Sequence, residues 1–266
     1  YITISHIYSI VMDNKFSFIV ENEFDLSYID TLLVSLFYKP ATNLDDMLHT
    51  EPKKIYGIYL QEIIKNNFVD KIRKKHSVLS DIILEILLCS INAGWLDEVF
   101  SISQQNIADY YCFLLNLFNN SQLDFNGEKK TIIKFTLPMN KQKITVKELC
   151  LALDPINNAP PFIGLFFDRF NDQQKNDIEI DIQKKIKIFH KQGCTDHYSV
   201  WKIHSLICHD GLSYTNCCYY CVICNNDNWL MYNNKNIPCL KDFDIKNNSD
   251  IIKKNVIMAF YCKVDR

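Results

Sequence analysis

Hydrophobic positions follow two different periods along this chain. After Ser27, residues Ile29, Leu32, Leu33, Leu36 and Phe37 recur at helical spacing until Lys39-Pro40, which predicts a buried helix with Ser27 as its N-cap. Helical periodicity continues from about residue 55 to 118, clearest over 78–91 and 107–118, with polar breaks expected at Asn66-Asn67 and Asn119-Asn120. Beyond that the pattern changes. Short β-rich runs at 131–137, 161–167, 178–188, 200–208, 217–224 and 229–232 predict strands, as do 2–11 and 16–20 on either side of the turn signal Asp13-Asn14.

Helices first and strands later imply an α+β arrangement of two packed lobes. The expected organisation is one domain with an N-terminal β segment (1–26), a helical lobe (27–125) and a β-rich lobe (126–266). With 266 residues and 48% hydrophobic content, the chain can bury a sizeable core.

Charge narrows the partners only by exclusion. Lys and Arg number 29 against 31 Asp and Glu, a net charge of −2, which gives no electrostatic case for a nucleic-acid partner. The eleven cysteines sit mostly within apolar segments, which favours reduced thiols and a cytoplasmic location over a secreted one. No basic leader region follows Tyr1, and no apolar run reaches the ~18 residues of a membrane span, so neither secretion nor a membrane partner is expected. Six glycines among abundant Asn, Lys and Ile suggest AT-biased coding, as in a large DNA virus or an AT-rich microbe.

Four segments, in order and spanning residues 22–262, carry a family resemblance. Asn22-Glu23-Phe24-Asp25-Leu26-Ser27-Tyr28-Ile29-Asp30 precedes an apolar helix, and Ala159-Pro160-Pro161 leads a strand that ends in Asp168-Arg169-Phe170. Trp201 to Gly211, Asn216 to Tyr220 and Trp229 to Asn234 form the third, and Val256 to Tyr261 the fourth. Together they resemble the boxes of ubiquitin-specific proteases, papain-like peptidases with a helical thumb-like lobe on a mainly antiparallel β palm-like lobe.

The resemblance places the nucleophile of that family at Ser27, its catalytic histidine at Cys218 (or Cys217 if the loop carries no insertion), its third triad position at Asn233 and its oxyanion donor at Asn22. A thiol at a helix N-terminus is activated by the helix dipole and a neighbouring imidazole. Serine gains little from that position, and neither candidate for the base is a histidine. A serine at the nucleophile position is also a common laboratory inactivation, so the cysteine at the histidine position carries more weight. No catalytic residue is therefore expected, and the triad and oxyanion positions read as vestigial.

His204 and His209, on the strand before the loop, are the substitute bases to consider; otherwise they read as a polar strand face and strand end. Cys221-Val222-Ile223-Cys224 has half of a zinc-site spacing, but residues three apart on a strand face opposite ways, so no metal and no cofactor is expected. The aromatic residues fit core positions such as Phe166, Phe170, Trp229 and Phe260.

What the resemblance implies is a catalytically inactive protein that binds a protein partner, ubiquitin or the subunits of an assembly such as a virion. An active deubiquitinating thiol protease would require a native cysteine at position 27 and a recruited base. A ubiquitin-binding module without hydrolysis is the third alternative, against which stands the lack of glycine in the loop 213–217.

Overall fold

The computed structural model describes residues 18, 20, 21, 24, 26–52, 54–96, 105–118, 123–125, 128–138, 140–157, 159–171, 174–192, 195–211, 218–226, 228–233 and 239–264. The strand expected over 2–11 lies outside them, as does most of that expected over 16–20; Val20 makes an isolated parallel bridge to Val78.

The first helix, α1 (Ser27–Phe37), is buried on every side from Tyr28 to Phe37, its polar Asp30, Thr31 and Ser35 included, the pattern of a helix enclosed by other layers. It does not begin as expected. Leu26 is the N-cap, its carbonyl accepting the Ile29 N–H at 2.9 Å, and no side chain caps the helix. Ser27 is thus the first helical residue and not the cap. Burial of Leu26 anchors the helix start instead.

The helical lobe continues with α2 (Thr42–Asp45), α3 (Ile55–Glu62), α4 (Asp70–Arg73), α5 (Ser80–Asn92) and α6 (Ile107–Leu117). The break expected at Asn66-Asn67 does not occur. Residues Ile63–Val69 form a π-helical segment that joins α3 to α4, and its wider turn buries Ile64, Phe68 and Val69 while keeping the asparagines in the helix. Helix α5 ends in a Schellman motif: Gly94 has φ +99°, its N–H reaches Ile91, and the Trp95 N–H reaches Ser90. Asn106 caps α6 by accepting from the Ala108 N–H.

Strands dominate the rest: β1 (Leu123–Phe125), β2 (Glu128–Lys130), β3 (Ile133–Thr136), β4 (Lys143–Thr145), β5 (Phe162–Asp168), β6 (Phe170–Asn171), β7 (Gln174–Lys175) and β8 (Glu179–Asp181). They continue as β9 (Lys185–Gln192), β10 (Thr195–Asp210), β11 (Cys218–Asn225), β12 (Asn228–Asn233), β13 (Cys239–Phe243) and β14 (Val256–Lys263). Two short helices, α7 (Val146–Leu151) and α8 (Ser249–Asn255), interrupt them. The main sheet runs β13-β12-β11-β10-β14-β5-β3, with β9 on the first half of β10; only β3 and β5 pair in parallel within it.

Helix α1 and the helices around it pack on one face of this sheet, and α7 and α8 pack on the other. Tyr219, Cys221 and Ile223 of β11 belong to the core shared with α1, while Tyr220, Val222 and Cys224 belong to a second core on the other face. Gly164 of β5 permits the close approach of α6, because a Cβ there would lie 2.9 Å from the Tyr111 ring. The register shift between Ile203 and Ser205 marks a bulge at His204, and such bulges turn one side chain out of the regular alternation.

Candidate functional site

The N-terminal turn of α1 meets the start of β11. Thr31, one turn beyond Ser27, donates from Oγ1 to the Tyr219 carbonyl at 3.3 Å. Its neighbour Asp30 is fully buried and accepts from Tyr232 Oη of β12 at 3.0 Å. Burial, with that carboxylate adding to it, pushes the Tyr232 hydroxyl and the Cys221 thiol well above their usual pKa. Ser27 itself is partly exposed at this junction.

Cys218 opens β11 opposite Asp210, and Asn233 closes β12 opposite Tyr220. The register makes Cys218 and Asn233 diagonal neighbours, about 7–8 Å apart by strand geometry. In the alternation both share the face of Tyr220, whereas α1 packs on the face of Tyr219. The structure therefore brings Cys218 and Asn233 together, with Ser27's helix on the opposite side of the sheet. Asn22 and Cys217 lie outside the described residues.

His204 and His209, two of the three histidines of β10, differ in place and share a state. His204, turned out at the bulge, donates from Nε2 to the Leu36 carbonyl at 3.1 Å. Leu36 is nine residues along α1 from Ser27, roughly 13 Å at helical rise, which removes His204 as a base for position 27. His209 stands opposite Tyr219, at the end of β10 where β11 begins. It is 0% exposed, its ring edge-on to Phe170 at 4.8 Å and to Tyr219 at 5.3 Å. His204 does not form the polar strand face expected of it, whereas His209 lies at the strand end as expected and is buried there. Burial, with nearby cations adding to it, lowers both to about 4, so each imidazole is neutral at pH 7.

Arg169 shows what the resemblance at Asp168-Arg169-Phe170 left unassigned. Its buried guanidinium donates to four carbonyls: Val256 at 2.6 Å, Lys253 at 2.6 Å, and Asn176 and Ile178 at 2.8 Å each. Burial lowers its pKa to about 10, and it remains charged. Beside it Lys175 bonds the His209 carbonyl at 3.2 Å and Asn255 Oδ1 at 2.6 Å, which fixes the strand end that carries His209. An arginine at the end of a buried apolar strand was the available signal; its acceptors come from two segments far apart in sequence, 176–178 and 253–256.

Cys221 and Cys224 are both buried but lie in different cores, on opposite faces. Among the described residues no group of three or more His, Cys, Asp or Glu is placed to hold a metal ion, and no helix is long and apolar enough to cross a membrane. Phe166, Phe170, Trp229 and Phe260 are all buried.

No protein-family model matches the sequence, and no curated protein matches it. Solved structures do. The SAGA Ubp8/Sgf11/Sus1/Sgf73 DUB module bound to ubiquitin aldehyde matches at TM-score 0.65 and 11% identity, covering 98% of this chain and 75% of that chain. The Ubp8-Sgf11-Sgf73-Sus1 SAGA DUB module matches at 0.62 and 13%, covering 96% and 69%. An essential yeast splicing factor matches at 0.63 and 12%, covering 94% and 70%. With its helical lobe on a mainly antiparallel sheet, the chain has an α+β fold like that of the ubiquitin-specific protease Ubp8.

Proposed function

We propose that this chain is a catalytically silent protein of the ubiquitin-specific protease fold that acts by binding another protein or building an assembly. One observation carries the reading: His209, the β10 histidine at the end where β11 begins, is enclosed by Phe170 and Tyr219 with its pKa near 4. A general base works best with a pKa near the operating pH and within hydrogen-bond reach of the group it deprotonates. His209 has neither a suitable pKa nor an open face, and Cys218 stands at the position the family resemblance assigns to the base.

The DUB modules of this fold are assemblies with other subunits, one of them bound to ubiquitin aldehyde. The essential yeast splicing factor is named for splicing. These neighbours favour protein partners and favour treating the fold as separable from hydrolysis. Ubiquitin is one such partner, and AT-biased residue usage makes a virion or core of a large DNA virus one such assembly.

The test is turnover of a ubiquitin C-terminal fluorogenic substrate by the native chain and by Ser27→Cys. Neither should release fluorophore above the rate without protein. Release by Ser27→Cys would reveal a working base and overturn the reading.

A further inference from the structure

A cavity of about 290 Å³ opens on the sheet face remote from α1. Its floor is Ile203, Leu206 and Trp229, and Ile182, Ile245 and Ile252 form its apolar walls. Three of these are set by regular geometry: Ile203 and Leu206 share one face of β10 because of the bulge at His204, and Trp229 comes from β12. On α8, Ser249, Ile252 and Lys253 stand at i, i+3 and i+4 and face the cavity together.

Charge at the rim has one sign in excess. Lys184, Lys246 and Lys253 line the opening against the single carboxylate of Asp181, which pairs with Lys253 at 3.6 Å. Among the described residues neither Lys184 nor Lys246 enters a salt bridge. The nearby Asp244 carboxylate is taken up by the backbone N–H groups of Lys246 and Asn247 and by the Asn247 side-chain amide.

We infer that this cavity binds a small amphipathic carboxylate, its alkyl or aryl body on Trp229 and its carboxylate at Lys184 and Lys246. An apolar floor supplies affinity by area removed from water, and a few charged groups at the rim set orientation and select the sign of the ligand. The exposed lysine heads cost little to desolvate, and their long flexible stems can turn over the cavity mouth. The inference is independent of the site at Ser27, because the cavity lies on the other face of the sheet.

The test uses octanoate, with octan-1-ol and octylammonium as probes of equal chain length. Binding is read from Trp229 fluorescence and, independently, from amide chemical shifts of Ile245 and Lys246. Octanoate should give saturable changes in both readouts, at least tenfold tighter than either comparison probe. The double variant Lys184→Glu/Lys246→Glu, altered only at exposed positions, should weaken octanoate at least tenfold and leave octan-1-ol unchanged. Absence of a saturable octanoate response would overturn the inference, as would equal binding of all three probes or an unchanged octanoate affinity in the double variant.

Discussion

Tyr232 Oη donates to the buried Asp30 carboxylate at 3.0 Å, which ties β12 to the first turns of α1 across the interface of helical lobe and sheet. The bond joins residues 202 positions apart and lies between fully buried partners. Removing the hydroxyl leaves a buried acceptor short of one donor, a loss of about 1–3 kcal/mol. Tyr232→Phe should lower the urea midpoint accordingly with an unchanged slope. In a double-mutant cycle with Asp30→Asn, the two changes should be less than additive.

Arg169 should be among the positions least tolerant of substitution. Arg169→Met removes the donors to four carbonyls drawn from the β6–β8 region, α8 and β14. Those acceptors then lie buried and underbonded, at a cost of about 3–5 kcal/mol. Arg169→Lys should not restore stability, because an ammonium lacks the planar five-donor fork. Equilibrium unfolding of the three proteins checks both statements.

Stability should fall in mild acid. His204 and His209 each titrate at about 4 in the fold against 6.5 as free side chains, so below pH 6.5 the unfolded chain binds protons that the folded chain does not. Their contribution is fully present above pH 6.5, declines as pH falls, and is lost below about 4. Each pKa unit corresponds to about 1.4 kcal/mol, so the pair puts several kcal/mol at stake. His204→Gln, which keeps a donor for Leu36, should flatten the loss between pH 6.5 and 4 in thermal melts.

Much of the architecture was readable from periodicity. The stripe Ile29, Leu32, Leu33, Leu36 and Phe37 predicts α1, which ends at Phe37; the run at 161–167 overlaps β5, offset by one residue, and that at 229–232 falls within β12. What was hidden depends on contacts that no local window contains. Asn66-Asn67 has the composition of a break, yet packing of Ile64 and Phe68 carries the helix through as a π segment. Edge strand β13 alternates poorly because Lys241 and Asp242 are both exposed, and α8 offers few apolar residues. Ser27 has the chemistry of a cap, but Leu26 takes that position. The enclosure of His209 could not be read locally, since Phe170 and Tyr219 come from other strands.

The most direct test of catalytic silence is an NMR titration of the His209 imidazole in the native chain and in Ser27→Cys. In both proteins the expected result is a neutral ring throughout pH 5–8, with protonation only near pH 4. A ring that titrates between pH 6 and 8, with a midpoint that moves when Ser27 becomes cysteine, would signal a thiolate–imidazolium pair and contradict the reading of this chain as silent.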